Sequence, residues 1–99
     1  MRIRWSDRAL ERVEEIAAYI EQDDLAAAAR WVEQLFTAVD RLGDFPEMGK
    51  PGRDVLTPGI RELVMGDFRV FYEVGVDVDV HSVRRARQLI DEDEFSGAI

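Results

Sequence analysis

The sequence predicts an α+β domain: an N-terminal strand, an antiparallel two-helix hairpin, and a three-stranded antiparallel meander forming one sheet that the helices cover on one side. Three observations support this fold class. Apolar residues recur every three or four positions between residues 7 and 42, and β-branched and aromatic residues dominate from residue 60. The chain has 99 residues, 46% of them hydrophobic, which suits a single compact core. We therefore expect one domain over residues 1–99, with 89–99 as a short acidic tail or helix.

The first strand and the first helix follow from the opening residues. Ile3 and Trp5 alternate with arginines in "RIRW", which is typical of a short strand. Ser6 is a favourable N-cap, so a helix should begin at Asp7. Apolar residues spaced by three and four then continue to Ile20 and predict an amphipathic helix of about four turns.

The second helix follows after the short break "QDD", with Asp24 as its N-cap. Its apolar seam, with alternating steps of three and four, consists of Leu25, Ala28, Val32, Leu35, Val39 and Leu42. Two helices joined by so short a turn should pack antiparallel. Gly43 after the seam predicts a left-handed C-cap, and Pro46 prevents the helix from continuing.

Three runs of strand-forming residues predict the meander, namely "IRELVM", "FRVFYEV" and "VDVHSV", separated by short hairpin connections. In the middle run one face carries Phe68, Val70, Tyr72 and Val74, and the other carries Arg69, Phe71 and Glu73. We expect the first face to pack on the helices and the second to be mixed and partly open. Tyr72 should then be a core residue with a hydrogen-bonded hydroxyl.

Composition limits the classes of function. The chain carries 13 basic and 21 acidic residues, a net charge of −8, which argues against extensive direct nucleic-acid binding because phosphate affinity comes largely from Lys and Arg. It has no cysteine, which excludes disulfides and thiolate metal sites and fits a reducing cytoplasm. No stretch resembles a signal peptide or approaches the ~20 apolar residues of a membrane span. We expect a cytoplasmic protein without cofactor, metal or membrane contact.

Arginines are the main candidates for a binding site. The predicted meander and its end contain Arg61, Arg69, Arg84, Arg85 and Arg87. Guanidinium groups on an open sheet face suit the recognition of carboxylates or phosphates, so all of these except Arg84 are candidate partner-binding residues. The alternative for each is an ion pair with a nearby acid, worth at most ~1 kcal/mol at the surface. For Arg84 the ion pair is the preferred interpretation.

Weaker candidates are Lys50, His81, Arg84, Trp31 and Phe36. Lys50 is the only lysine, and the glycines around it lack the spacing of a phosphate-binding loop. His81, the only histidine, is either a general base or a half-exposed strand residue; the second interpretation is preferred because no acid–base partner is near it in sequence. Trp31 and Phe36 fall outside the helical seam and either complete the core, as preferred, or line a groove that a partner covers. No catalytic residue is predicted.

Taken together, these pieces resemble the RelE/ParE superfamily of bacterial toxin–antitoxin systems, and its ParE branch in particular. The matching segments are "WS" and "EEIAAYI" in the first helix region, "LGDFPEMGK", "REL" and "FRVFYEV". Within "LGDFPEMGK", Leu42, Pro46 and Gly49 keep the family's Leu, Pro and Gly spacing. The last strand ends similarly, in Val83 and Arg87.

The resemblance extends over residues 4–87 and implies an activity. ParE-like toxins act on DNA gyrase, stabilising its cleaved complex with DNA, and a ParD-like antitoxin neutralises them in a toxin–antitoxin hetero-oligomer. The antitoxin usually places a helix against the helical hairpin and runs across the sheet. Many ParE relatives carry histidine where this chain has Arg85, which is a departure from the pattern.

RelE-like relatives instead cut mRNA on the ribosome, which requires proton transfer and cations around the phosphate. They resemble one another in having several lysines and arginines on the open sheet face and a tyrosine or histidine near the C-terminus. This chain has one lysine, and residues 88–99 contain neither tyrosine nor histidine. The resemblance therefore favours an inhibitor that binds gyrase over an enzyme. A non-toxic, antitoxin-binding module is a third alternative.

Overall fold

A computed structural model describes residues 1–86 and Phe95; the predicted helices and strands lie in the predicted order, and one further strand, Lys50–Pro51, was not predicted. The helices are α1 (Asp7–Glu21), α2 (Leu25–Asp40) and a 3-10 turn (Arg41–Gly43), and the strands are β1 (Ile3–Trp5), β2 (Lys50–Pro51), β3 (Ile60–Met65), β4 (Phe68–Val74) and β5 (Val78–Arg85). The α+β class is confirmed. Within the described residues, neither helix has the length and apolar character needed to span a bilayer.

The sheet contains five strands in the order β1-β5-β4-β3-β2. β3, β4 and β5 form the predicted antiparallel meander, and the short strand β2 pairs antiparallel with β3. β1 pairs in parallel with β5, so the sheet is mixed and not antiparallel throughout. Alternation of apolar residues carries no information about strand direction. The direction is set at the strand ends, where Val78 N donates to Arg2 O (2.8 Å) and Ser6 N donates to Val80 O (3.0 Å).

Both helices begin at the predicted N-caps. The Ser6 Oγ accepts a hydrogen bond from Ala9 N at 3.0 Å and donates one to His81 O at 3.1 Å. Asp24 Oδ1 accepts from Ala27 N at 3.1 Å. Each cap satisfies a helix N–H that has no partner inside the helix. The second bond of Ser6 also fastens the start of α1 to β5.

The end of α2 differs from the prediction. The helix tightens into the 3-10 turn after Asp40, and the glycines with a left-handed φ among the described residues are Gly59 and Gly66. Gly43 is required for a different reason: a Cβ there would lie 2.7 Å from the carbonyl oxygen of Met1. The close approach of the N-terminal segment therefore explains this glycine.

The main core lies between the helices and the sheet. Its buried residues are Ala9, Val13, Ile16, Trp31, Leu35, Val39, Leu42, Val70, Tyr72, Val78, Val80 and Val83. The predicted seam is only partly correct, since Leu25 remains 67% exposed; steps of three and four drift across a helix with 3.6 residues per turn. Trp31 packs in the core with its ring 5.0 Å from Phe68, and Phe36 packs 4.7 Å from Trp5. The preferred interpretation of Trp31 and Phe36 as core residues is confirmed.

A second, smaller core covers the side of the sheet that faces away from the helices, here called the second face. Its buried residues are Ile60, Phe71 and Phe95, and Val55 packs against them. The rings of Phe71 and Phe95 lie 5.4 Å apart. The expectation of a partly open face is therefore wrong at its centre. Alternation within β4 cannot show that Val55 and Phe95, which come from distant parts of the chain, cover it.

Candidate functional site

The strand register separates the candidate arginines. Arg69 lies opposite Arg84, and Phe68 lies opposite Arg85. Because neighbouring residues of a strand point to opposite faces, Arg69 and Arg84 belong to the second face and Arg85 belongs to the helix-covered face. The candidates Arg69 and Arg85 therefore do not lie on one face of the sheet. Arg87 lies outside the described residues, so its predicted role is not addressed by the structure.

Glu62 is the centre of an ionic cluster on the second face. Its side chain is fully buried and accepts hydrogen bonds from Arg69 Nε at 2.7 Å and Arg53 Nε at 2.8 Å. Arg69 also donates to Arg53 O at 2.7 Å, and its guanidinium lies 4.7 Å from the centre of the Phe71 ring. Arg69, with 4% of its side chain exposed, is therefore held inside the fold, and its predicted contact with a partner stays a prediction.

Sequence reasoning missed the roles of Glu62 and Arg53, although one signal was present. Glu62 lies opposite Phe71 across the hairpin of β3 and β4, and Arg69 is two residues from Phe71 on the same strand. Glu62 and Arg69 are thus diagonal neighbours on one face, within reach of long side chains. The part played by Arg53 depends on where the loop after β2 returns, which no local pattern specifies.

The two arginines keep Glu62 ionised. Burial raises the pKa of its carboxyl, but the hydrogen bonds and positive charges of Arg53 and Arg69 outweigh burial, and the pKa lies below the ordinary value of 4.5. The hydrogen bond and charge of Glu62 in turn raise the pKa of Arg53. At neutral pH Glu62 is an acceptor whose oxygens are already engaged, so it is poorly suited to proton transfer.

His81 is buried, with 4% exposure, and the expectation of a half-exposed residue is wrong. Its Nε2 lies 3.2 Å from Glu73 Oε1, and the Phe95 ring meets its ring edge-on at a centroid distance of 6.3 Å. A histidine beside a carboxylate has the composition of an acid–base pair. Here the imidazole is enclosed, so it is not placed to meet a substrate.

The sheet is irregular at His81. Phe71 pairs with Ser82 whereas Tyr72 pairs with Val80, so that His81 is passed over in the register. Such a bulge interrupts the alternation of side chains along a strand. Counting back along β5 from Arg84 would therefore place His81 on the helix-covered face, whereas it lies on the second face beside Glu73 and Phe95.

The loop between the 3-10 turn and β2 is held by Tyr72 and Arg61. The Tyr72 hydroxyl donates to Pro46 O at 2.8 Å and accepts from Gly49 N at 3.0 Å, which confirms the prediction for this residue. Arg61 Nη2 donates to Glu47 O at 3.2 Å and also to Gly49 O. The structure thus gives Arg61 a role in holding the loop, and its predicted contact with a partner stays a prediction.

The other candidate cations occupy separate places. Arg85 is exposed, and its guanidinium carbon lies 4.1 Å from the centre of the Tyr19 ring, which is 54% exposed on α1. Lys50 is exposed on the edge strand β2, whereas Arg84 is buried, with 5% exposure, and is not a surface residue. Across residues 1–86 and Phe95, no three His, Asp or Glu side chains come together as metal ligands would. Of the predicted candidates that the structure describes, Arg85 and Lys50 are the clearly exposed cations.

The fold is shared with a solved structure. A solved structure titled "Chromosomal ParDE TA system from P. aeruginosa" contains a chain that superposes with a TM-score of 0.74, covering 88% of this chain and 97% of that chain at 20% sequence identity. The family model described as "ParE toxin of type II toxin-antitoxin system, parDE" matches residues 3–90. The chain therefore belongs to the ParE toxin family.

Curated relatives agree with this assignment. "Putative toxin Y4kP" of Sinorhizobium fredii (strain NBRC 101917 / NGR234) is 48% identical over 88% of this chain and 90% of the relative. Two proteins of Caulobacter vibrioides (strain ATCC 19089 / CIP 103742 / CB 15) are also similar. "Toxin ParE1" is 33% identical over 78% of this chain and 80% of the relative, and "Toxin RelE2" is 38% identical over 81% and 86%. The relatives thus include proteins named for both branches of the superfamily.

Proposed function

We propose that this ParE-family toxin inhibits DNA gyrase by binding, stabilising the cleaved complex of gyrase with DNA, and that it performs no covalent chemistry of its own. A ParD-like antitoxin neutralises it in a cytoplasmic toxin–antitoxin hetero-oligomer. The observation that carries the proposal is the closed second face. The one histidine and the carboxylate at the centre of the ionic cluster are both engaged there inside the fold.

This observation favours binding over catalysis. Cleavage of RNA needs a group that takes a proton, a group that returns one, and both within reach of the substrate. Glu62 is ionised between two arginines, and the ring of His81 is enclosed between Glu73 and Phe95. A toxin that works by occupying its target needs none of these groups at its surface.

The test is a DNA supercoiling and cleavage-complex assay with purified gyrase. We expect the wild-type chain to inhibit supercoiling and to increase cleaved DNA. His81→Gln should act equally well, because Gln can keep a hydrogen bond to Glu73 and the proposal gives the imidazole no proton to transfer. Circular dichroism should first establish that this variant is folded. Gyrase that remains fully active at large toxin excess would refute the proposal.

The likeness to "Toxin RelE2", at 38% identity, makes a ribosome-dependent mRNA endonuclease the second candidate. The pairing of His81 with Glu73 supplies acid–base groups for it, although they are enclosed. Primer extension on translated mRNA after induction distinguishes the two. We expect no new 5′ ends, whereas cuts that disappear in His81→Gln would establish the endonuclease.

The third alternative, a non-toxic antitoxin-binding module, is distinguished from the other two by expressing the chain alone in bacteria. We expect growth arrest, and we expect growth to recover when the product of an adjacent small reading frame is co-expressed. That product should also co-purify with the chain. Unchanged growth, combined with co-purification, would instead support the non-toxic module.

A further inference from the structure

Two bulky apolar side chains project from the loop between the 3-10 turn and β2, here called the presenting loop (residues 44–49). Phe45 is 61% exposed and Met48 is 39% exposed. An open hollow of about 580 Å³ adjoins them and is lined by Arg41, Asp44, Phe45, Pro46, Glu47 and Met48. Single exposed apolar residues are ordinary on protein surfaces, but an aromatic and a methionine on one short loop have the composition of a binding site.

The presenting loop is fixed in place. Phe45 N donates to Arg41 O at 2.9 Å, and Met48 N donates to Phe45 O at 3.0 Å. Tyr72 holds the loop from the core, and Arg61 holds it from β3. The exposure of Phe45 and Met48 is therefore imposed by the backbone. A fixed loop loses little conformational entropy on binding, which favours tight association.

Other exposed apolar side chains lie away from the presenting loop. Leu56 is 86% exposed in the connection before β3, and Val76 is 95% exposed at the tip of the hairpin between β4 and β5. Neither lines the hollow beside the presenting loop. These two residues are matched controls, because they are apolar and exposed but lie elsewhere.

The shape and charge of the presenting loop indicate what kind of surface a partner would need. Side chains that project from a fixed loop fit into a depression on a folded protein. Asp44 and Glu47 flank Phe45 and Met48, Arg41 is the only cation among the described lining residues, and the chain carries a net charge of −8. The complementary depression is apolar with a rim of lysine or arginine, whereas a DNA backbone would be repelled. Basic surfaces of this kind are typical of proteins that handle nucleic acids.

We propose that Phe45 and Met48 are the anchor by which this toxin binds an apolar, basically rimmed depression on its folded target protein. The inference rests on the proposed function, which supplies gyrase as that target. It assigns the presenting loop to the target and not to the antitoxin.

The test compares Phe45→Ser/Met48→Ser with Leu56→Ser/Val76→Ser and with the wild type. Because all four side chains are exposed, both double variants should melt at the wild-type temperature. We expect Phe45→Ser/Met48→Ser to require at least about tenfold more protein for half-inhibition of supercoiling, as is common for anchor residues. The control variant should match the wild type. All three chains should co-purify equally with the product of the adjacent reading frame.

Each other outcome is informative. A Phe45→Ser/Met48→Ser variant as potent as the wild type overturns the inference. So does a variant that keeps its potency but no longer co-purifies with the antitoxin, since the loop would then belong to the antitoxin. A wild-type chain that leaves gyrase unaffected refutes the proposed function. Growth arrest upon expression of each variant then tests separately whether the presenting loop binds a target. If only the Phe45→Ser/Met48→Ser variant fails to arrest growth, the presenting loop is the anchor for a target other than gyrase.

Charge gives an independent readout. Asp44→Lys/Glu47→Lys keeps both apolar side chains but reverses the rim charge, so we expect weaker inhibition, most clearly at low salt where exposed charges are least screened. Stronger inhibition by this variant would overturn the inference that the partner's depression has a basic rim.

Discussion

At Gly49 the backbone of the presenting loop touches the core. Its N–H donates to the Tyr72 hydroxyl at 3.0 Å, and a Cβ at this position would lie 2.6 Å from the same oxygen and against the backbone of Glu62. The residue is glycine for lack of space, because its φ is not among the left-handed values. A single missing methyl group thus allows the hydroxyl to reach the loop.

Gly49→Ala should destabilise the fold by about 1–3 kcal/mol, the usual cost of forcing extra atoms into a filled core. The free energy of unfolding, measured in urea, checks this. Gly75→Ala is the matched control, since a Cβ there meets nothing within 4 Å. Equal stability of both variants would show that the loop can move away from Tyr72 at no cost.

Arg85 and Tyr19 should be coupled weakly. A cation 4.1 Å from an exposed aromatic ring contributes about 0.5–1 kcal/mol. A double-mutant cycle with Arg85→Ala and Tyr19→Ala should give a coupling energy in this range. Arg85→Ala should therefore leave the fold intact, and a loss of toxicity or antitoxin affinity in that variant would come from a lost partner contact. Global unfolding of Arg85→Ala would contradict this and make the arginine structural.

At the level of elements, the ionic cluster joins the connection after β2 to the sheet. Arg53 lies on that connection, Glu62 on β3 and Arg69 on β4, and their side chains meet on the second face. A buried ion pair is not strongly stabilising by itself, because desolvation opposes it. Removing one partner is costly, however, since the other charge then stays buried without compensation.

Glu62→Gln should lower the free energy of unfolding by about 3–5 kcal/mol, because it leaves Arg69 buried without a carboxylate. Thermal or urea denaturation at neutral pH measures the loss. Glu33→Gln on the exposed side of α2 is the control and should have almost no effect. A loss as small as that of the control would mean that the cluster contributes nothing net to the fold.

The same cluster predicts a dependence on pH. The folded state lowers the pKa of Glu62 below 4.5, so its stabilising contribution is complete above that value and is lost as the pH falls through the folded pKa. The stability difference between wild type and Glu62→Gln should therefore narrow in acid, below about pH 4.5. Unfolding free energies measured at several acidic pH values test this. A difference that widens on acidification would contradict the lowered pKa.

For the molecule as a whole, Phe95 connects the far end of the chain to the second core. It is 5% exposed and contacts Phe71 and His81 from the side opposite the helices. The sheet is thus buried on both faces near its centre. This explains why Phe71, on the face of β4 away from the helices, is fully enclosed.

Phe95→Ala should cost about 3–5 kcal/mol, as is usual for truncating a buried phenylalanine. Phe45→Ala makes the same chemical change at an exposed site and should alter the free energy of unfolding by less than about 0.5 kcal/mol. Chemical denaturation of both variants provides the comparison. If Phe95→Ala is as stable as Phe45→Ala, the second core does not contribute to the fold.

Local patterns were sufficient for the α+β class, the order of the helices and strands, the caps Ser6 and Asp24, and the placement of Tyr72 in the core. Each of these features depends on residues close together in sequence. Their periodicity indicates which face of a helix or strand is buried. The residues matching the toxin superfamily could likewise be read along the chain. This is why the sequence alone identified the family.

Other features were decided only when distant segments came together. The parallel direction of β1 depends on its approach to β5, and the burial of Arg69 and His81 depends on Glu62 and Phe95 reaching the second face. A periodic pattern treats a charged side chain as exposed, whereas a carboxylate or a ring from elsewhere in the chain can compensate its burial. For this reason the sequence indicated the arginines as candidates, whereas the three-dimensional arrangement of the described residues determined which of those arginines are buried.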